Sequence, residues 1–218
     1  MSRLMPALAL LPLLLGGCSG LLSQPDPTTV WKLEINPAQI ARAPEELPLS
    51  LRIDAPIAWS GHDSPLMAYE RNPPRIDYYA SNRWVAPPAQ MLGESLVTAF
   101  QASGRYRAVL GSDSLLIGDY SLRSELVELT HAFVSGGSVA RLVLRLSLID
   151  NAQRQVIASA RIETSEPVTS TDAEGFARAS TLALQRAVGE TLGFCDALLA
   201  TRASEARTRP LAPDKDIR

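Results

Sequence analysis

Ser64–Leu110 reads SPLMAYERNPPRIDYYASNRWVAPPAQMLGESLVTAFQASGRYRAVL, and this stretch decides the fold. Two short strands, Leu66–Arg71 and Arg75–Ala80, run into Asn82-Arg83-Trp84 and then Pro87-Pro88. A helix begins at Pro87 or Pro88, where a missing N–H costs nothing. Met91, Leu92, Ser95, Leu96, Ala99 and Phe100 recur at three- and four-residue spacing and form its inner face. Ser103-Gly104 closes it, glycine being the usual residue in the left-handed position past a helix end. Tyr106–Leu110 then returns as a strand. Strand, helix, strand in so short a span is an α/β unit.

Downstream, Ser112-Asp113-Ser114 makes a turn and three long strands follow: Asp119–His131, Ser138–Asp150 and Arg154–Thr164. Ser135-Gly136-Gly137 and Asn151-Ala152-Gln153 are the connecting turns. Leu142, Leu144, Leu146 and Leu148 point to one face, and Arg141, Val143, Arg145 and Ser147 to the other, as in an antiparallel meander with one apolar side. Pro167 ends the sheet region. Thr171-Asp172-Ala173-Glu174 precedes and caps a last helix. Its apolar stripe runs through Phe176, Ala183, Ala187, Val188, Leu192, Cys195 and Leu199 to about Thr201. Upstream, Val30–Asn36 reads as a first strand and Pro37–Pro48 as a connection holding a short helical turn. Leu49–Ala55 alternates as a half-buried strand, and Pro56–Pro65 is a loop. The expected architecture is an α/β two-layer sandwich: one mixed, mostly antiparallel sheet with two helices packed on one face.

The N-terminus has a different character. Arg3 is followed by an apolar run from Leu4 to Leu15 and then Gly16-Gly17-Cys18. One positive charge, about a dozen apolar residues and small residues before a cut point make a secretory signal peptide. The run is shorter than the ~20 residues a spanning helix needs. Leu15-Gly16-Gly17-Cys18 is similar to a bacterial lipobox, which makes Cys18 the acylated first residue of the mature chain. By analogy Ser19, in place of an Asp, favours the outer membrane. The expected organisation is residues 1–17 signal peptide, 18–29 lipid-anchored tether, 30–201 domain and 202–218 disordered tail. Cleavage before Cys18 removes Arg3 and leaves 201 residues with a net charge of −3.

That balance excludes a nucleic-acid binder by charge. No nucleotide-binding glycine loop, nucleophile elbow or zinc-protease motif occurs. His62, Asp63 and Ser64 are adjacent in one loop and lack the spacing of a nucleophilic triad. Two cysteines and two histidines, His62 and His131, form no usual metal pattern, and no cofactor is expected. With Cys18 acylated, Cys195 has no partner for an intramolecular disulfide and is expected to be a buried thiol on a helix.

Asp63-Ser64-x-x-Met67-x-Tyr69, Tyr78-Tyr79-Ala80-x-x-Arg83-Trp84-x-x-Pro87-Pro88-x-x-Met91-Leu92 and Ser103-Gly104-x-Tyr106-x-x-Val109 together resemble the core pattern of the ABC-type transport auxiliary lipoproteins, the family that includes paraquat-inducible protein C. The resemblance extends over most of Cys18–Leu199. The first strand departs from it, with Trp31-Lys32-Leu33 where many members have Tyr-x-Leu. The resemblance implies a non-catalytic outer-membrane lipoprotein beside an ABC transporter and a mammalian-cell-entry (MCE) domain protein. Such systems move lipid between inner and outer membrane, and the lipoprotein's part would be to dock the periplasmic MCE assembly. A homo-oligomer is compatible with it. A regulator of a periplasmic synthase, such as a peptidoglycan synthase, and a soluble lipid shuttle are the competing functions. The ten residues Gly20–Thr29 span at most ~35 Å, which favours a domain held near its membrane.

Tyr79, Arg83 and Trp84 are the candidate partner-binding residues, because Trp, Tyr and Arg are enriched at interface hot spots. Against this stands a packing role, in which Tyr79 and Trp84 fix the strand-to-helix turn. Met67 and Tyr69 are expected in the core.

Overall fold

A computed structural model describes residues 27–208. The expected signal peptide, Cys18, most of the expected tether and residues 209–218 lie outside the described residues. The elements in order are β1 (Thr29–Trp31), a 3-10 turn (Pro37–Gln39), β2 (Leu47–Ile53), β3 (Ile57–Ala58), β4 (Leu66–Asn72), β5 (Arg75–Trp84), α1 (Pro88–Ser103), β6 (Tyr106–Leu110), β7 (Tyr120–Val134), β8 (Gly137–Asp150), β9 (Gln155–Pro167) and α2 (Ala173–Thr208).

Nine strands form one mixed sheet whose spine is β7. One edge of β7 pairs antiparallel with β8 along nearly its whole length, and β8 pairs likewise with β9. The other edge is shared by three strands in series, all parallel to it. β2 pairs at Tyr120–Leu122, β3 at Glu125–Leu126 and β4 at His131–Ala132. Beyond β2 lies β6, and beyond β4 lie β5 and β1. The parallel pairings are short and the long ladders antiparallel, so the sheet is mixed as the sequence predicts. This order also gives the molecule two ends. The β6–β7 connection sits at the Tyr120 end of the spine, whereas β1, carried by β4 and β5, is level with its middle.

Both helices cover the same face. Leu142, Leu144, Leu146 and Leu148 are buried there with Leu122, Leu126 and Leu129, beneath Leu92, Leu96 and Phe100 of α1 and Phe176, Ala183, Ala187 and Val188 of α2. The opposite face carries ion pairs across the strands, Arg145–Glu125 at 3.4 Å and Arg141–Glu128 at 3.5 Å. α1 ends at Gly104, whose φ of 59° is the left-handed position read from Ser103-Gly104. Asp172 caps α2 by accepting the Gly175 amide at 2.8 Å. Cys195 is a buried free thiol, and burial raises its pKa.

Several boundaries differ from the sequence reading, β2, β7 and β9 by two or three residues and four others for a tertiary reason. The first strand keeps only Thr29–Trp31, because Lys32–Asn36 leaves the sheet to insert Leu33 and Ile35 into the core. The Pro56–Pro65 loop contains the short β3, held by its pairing with Glu125 and Leu126. β5 continues past Ala80 to Trp84 because β1 gives it a partner at Asn82–Trp84. α2 passes Thr201, where Ala203 is still buried and Arg202 pairs with Asp150 at 3.6 Å, so the first residues assigned to the tail are helical.

Candidate functional site

The three candidate residues sit on β5, and its irregular pairing decides where each one points. Leu66 pairs with Arg83 and Ala68 with Tyr78, so two residues of β4 span five of β5. The extra residues form a bulge that changes which side chains face the helices. Alternation alone would put Tyr79 and Trp84 on opposite faces. The bulge brings both to the α2 side.

Trp84 is 1% exposed and packs edge-on against Phe176 with ring centroids 5.7 Å apart. Its amide donates to Pro65 O at 2.8 Å, and the next amide, of Val85, donates to Trp31 O at 2.7 Å. Trp84 therefore holds the strand-to-helix turn from inside and offers no surface to a partner. Of the two readings of Trp84, this burial matches the packing role. Tyr79 is half-buried, with its hydroxyl 2.8 Å from His131 Nδ1, and its ring packs on Tyr69 at 5.1 Å. Burial pushes its pKa up to about 12. Arg83 alone is exposed, in a cross-strand row between the exposed side chains of Val30 and Leu66. Met67 is fully buried as expected, and Tyr69 is half-buried.

Behind Tyr79 lies a buried polar relay. His131 is completely buried, stacked on Phe176 at 5.2 Å and Phe133 at 4.5 Å. Its Nε2 is 2.8 Å from Ser138 Oγ. A neutral imidazole satisfies both hydroxyls in either tautomer, one ring nitrogen donating and the other accepting. Burial, reinforced by nearby Arg71, pulls its pKa down to about 4, which keeps the ring neutral. This is a structural arrangement in which every polar atom of the ring has a partner inside an aromatic stack.

His62, Asp63 and Ser64 do not converge on a reacting centre. The His62 amide donates to Trp59 O at 3.0 Å, and Ser64 Oγ accepts the Leu66 amide at 3.4 Å. Among the described residues no group of three or more His, Cys, Asp or Glu is placed to hold a metal ion. None of their helices is long and apolar enough to cross a membrane.

What the sequence reading missed is Leu115-Leu116-Ile117, in the connection between β6 and β7. These side chains are 99%, 66% and 84% exposed. The available signal was an apolar triplet caught between two turn clusters, Ser112-Asp113-Ser114 and Gly118-Asp119, and too short for an element of its own.

The fold and this surface can now be set beside known proteins. A family model described as ABC-type transport auxiliary lipoprotein component matches residues 31–190. The chain belongs to that family. Among solved structures, protein XCC0632 from Xanthomonas campestris, described with the family DUF330, aligns with a TM-score of 0.70 at 24% identity, over 81% of this chain and 99% of that one. An uncharacterized protein aligns with a TM-score of 0.60 at 13% identity, over 76% and 97%. Hypothetical protein CT253 from Chlamydia trachomatis aligns at 0.51 and 10% identity, over 68% and 96%. At these identities the likeness is one of fold. No curated protein matches the chain. Membership makes this domain an auxiliary lipoprotein component of ABC-type transport.

Proposed function

We propose that the protein is a non-catalytic outer-membrane lipoprotein, acylated at Cys18, that docks the periplasmic MCE-domain assembly of an ABC transporter moving lipid between the two membranes. The family match over residues 31–190 carries this reading. Leu15-Gly16-Gly17-Cys18 supports the anchor and Ser19 the outer membrane. Several acyl chains hold a protein stably, each buried CH₂ contributing roughly 0.8 kcal/mol. From Cys18 to residue 27 the chain reaches roughly 30 Å at most, which keeps the β1 end of the domain close to the bilayer.

The test is co-purification of the intact lipoprotein with the MCE-domain protein of the same transport system, from outer-membrane fractions. The expected result is a stable complex, an acyl mass on Cys18, and an unprocessed or soluble product from Cys18→Ala. Absence of an acyl mass in the wild type overturns the anchor. Absence of any complex with anchors intact overturns the adaptor role.

A further inference from the structure

The β6–β7 connection is built to present apolar side chains to something outside the molecule. Its backbone is held firmly. The Arg52 guanidinium donates to Ser112 O at 2.9 Å, Ser114 O at 2.7 Å and Leu116 O at 3.0 Å. Asn151 Nδ2 donates to Gly118 O at 2.7 Å, and Asp119 accepts from the Ser50 amide and hydroxyl at 2.7 Å. Gly118 admits no side chain, since a Cβ there would meet the backbone of Tyr120 and Arg52 within about 3 Å. The carbonyls of Ser112, Ser114, Leu116 and Gly118 are thus satisfied internally while the side chains of Leu115, Leu116 and Ile117 stand in water. Contiguous exposed apolar groups of this kind mark interaction sites.

Beside this ridge, and sharing Gly111, Ser112 and Asp113 with it, is a hollow of about 680 Å³. Its floor includes Ile53, Pro56 and Val97, and its rim carries Asp63, Glu94 and Asp113. Asp54 also lines it, paired with Arg52 at 3.1 Å, and no lysine or arginine does. An apolar ridge and floor under an acidic rim suit an amphipathic segment bearing cations. An anionic bilayer surface is disfavoured on two grounds. The rim repels its headgroups, and the ridge lies beside the Tyr120 end of β7, whereas β1, where the tether enters, lies three strands across from β7 and level with its middle.

We propose that the Ser112–Gly118 ridge and its adjoining hollow seat an amphipathic segment of a partner protein carrying Lys or Arg beside its apolar side chains. That this partner is the MCE-domain protein rests on the function proposed above; the chemistry of the surface does not.

The test uses the mature lipoprotein and two variants, L115S/L116S and E94K/D113K, whose exposed positions leave folding intact, checked by melting temperature. The probes are an amphipathic Leu/Lys peptide, its Leu/Glu counterpart, vesicles of phosphatidylethanolamine and phosphatidylglycerol, and the MCE-domain protein. The wild type should bind the Leu/Lys peptide about tenfold or more tighter than the Leu/Glu peptide, with affinity falling as salt rises. E94K/D113K should reverse that preference, and L115S/L116S should weaken both peptides about tenfold. Both variants should lose the MCE-domain protein. Equal binding of the two peptides, or variants that bind like wild type, overturns the proposal. So does vesicle binding or self-association that L115S/L116S abolishes. If the peptide preference holds but the MCE-domain protein does not bind wild type, the adaptor role fails and the surface stands. If the MCE-domain protein binds wild type and variants alike, the surface fails and the adaptor role stands.

Discussion

Trp84 and His131 show how far one side chain's meaning depends on its neighbours. Trp84 is rich in interface chemistry by type, yet its ring is sealed against Phe176. Trp84→Ala should therefore cost about 3–5 kcal/mol of stability. The melting temperature should fall while the folded fraction still binds partner at low temperature; an unchanged melting temperature with lost binding would show the opposite. His131 adds a dependence on acid. Its folded pKa of about 4 lies below the ordinary 6.5, so as pH falls the unfolded chain takes up the proton first. The stability it contributes is complete above pH 6.5 and is lost between about 6.5 and 4, on the order of 3 kcal/mol. Melting curves across that range should slope more steeply for wild type than for His131→Gln. Burial lowers the His62 pKa as well and raises that of Glu128, so both groups contribute to the slope left in the variant. Little of this was legible in the sequence. Aromatic residues and two histidines could be counted, but the bulge that turns Tyr79 inward comes from how β4 pairs with β5, a contact that no local spacing encodes.

The elements were more legible than the residues, for a physical reason. α1 announces itself through its apolar stripe, its leading prolines and Gly104, all local signals. The meander shows itself through alternation and turn residues. β3 and the end of β5 were missed because two or three residues become a strand only when a distant edge accepts them. Gly175 is a local signal that went unread. It lies in the first turn of α2, where an added Cβ would strike the Ser170 carbonyl and hydroxyl and crowd Val168. Only glycine lets the segment after β9 fold tightly onto the helix start. Gly175→Ala should destabilise the domain by about 1–3 kcal/mol, read as a lower denaturant midpoint, even though alanine is the better helix former.

At the scale of the whole molecule, the helix that outruns its expected end ties the two layers together. Arg202 reaches Asp150 at the end of β8, and Ala203 is buried beyond it. Ending the chain after Thr201, the boundary read from sequence, would strip a largely buried carboxylate of its cation. That should cost about 1–3 kcal/mol, measured as a fall in melting temperature relative to a chain ending after Thr208. The sequence hid this because hydrophobic periodicity fades in the last two turns while the ion pair does not. The shared edge of β7 bears also on the order of assembly. β7, β8 and β9 are neighbours in sequence joined by tight turns, so they can zip together through nearby contacts, which form fast. β4 has the β5 hairpin beside it, but β2 and β3 have no such neighbour; each waits for an edge of β7 that lies about 70 residues further along the chain. Synthesis delivers the N-terminal half first, and there β2 and β3 stay without that edge until β7, which begins at Tyr120, is made. Pulse-labelled hydrogen exchange should accordingly find amides of β7 and β8 protected before those of β2. The newborn protein is a chain whose beginning can be read only from its second half.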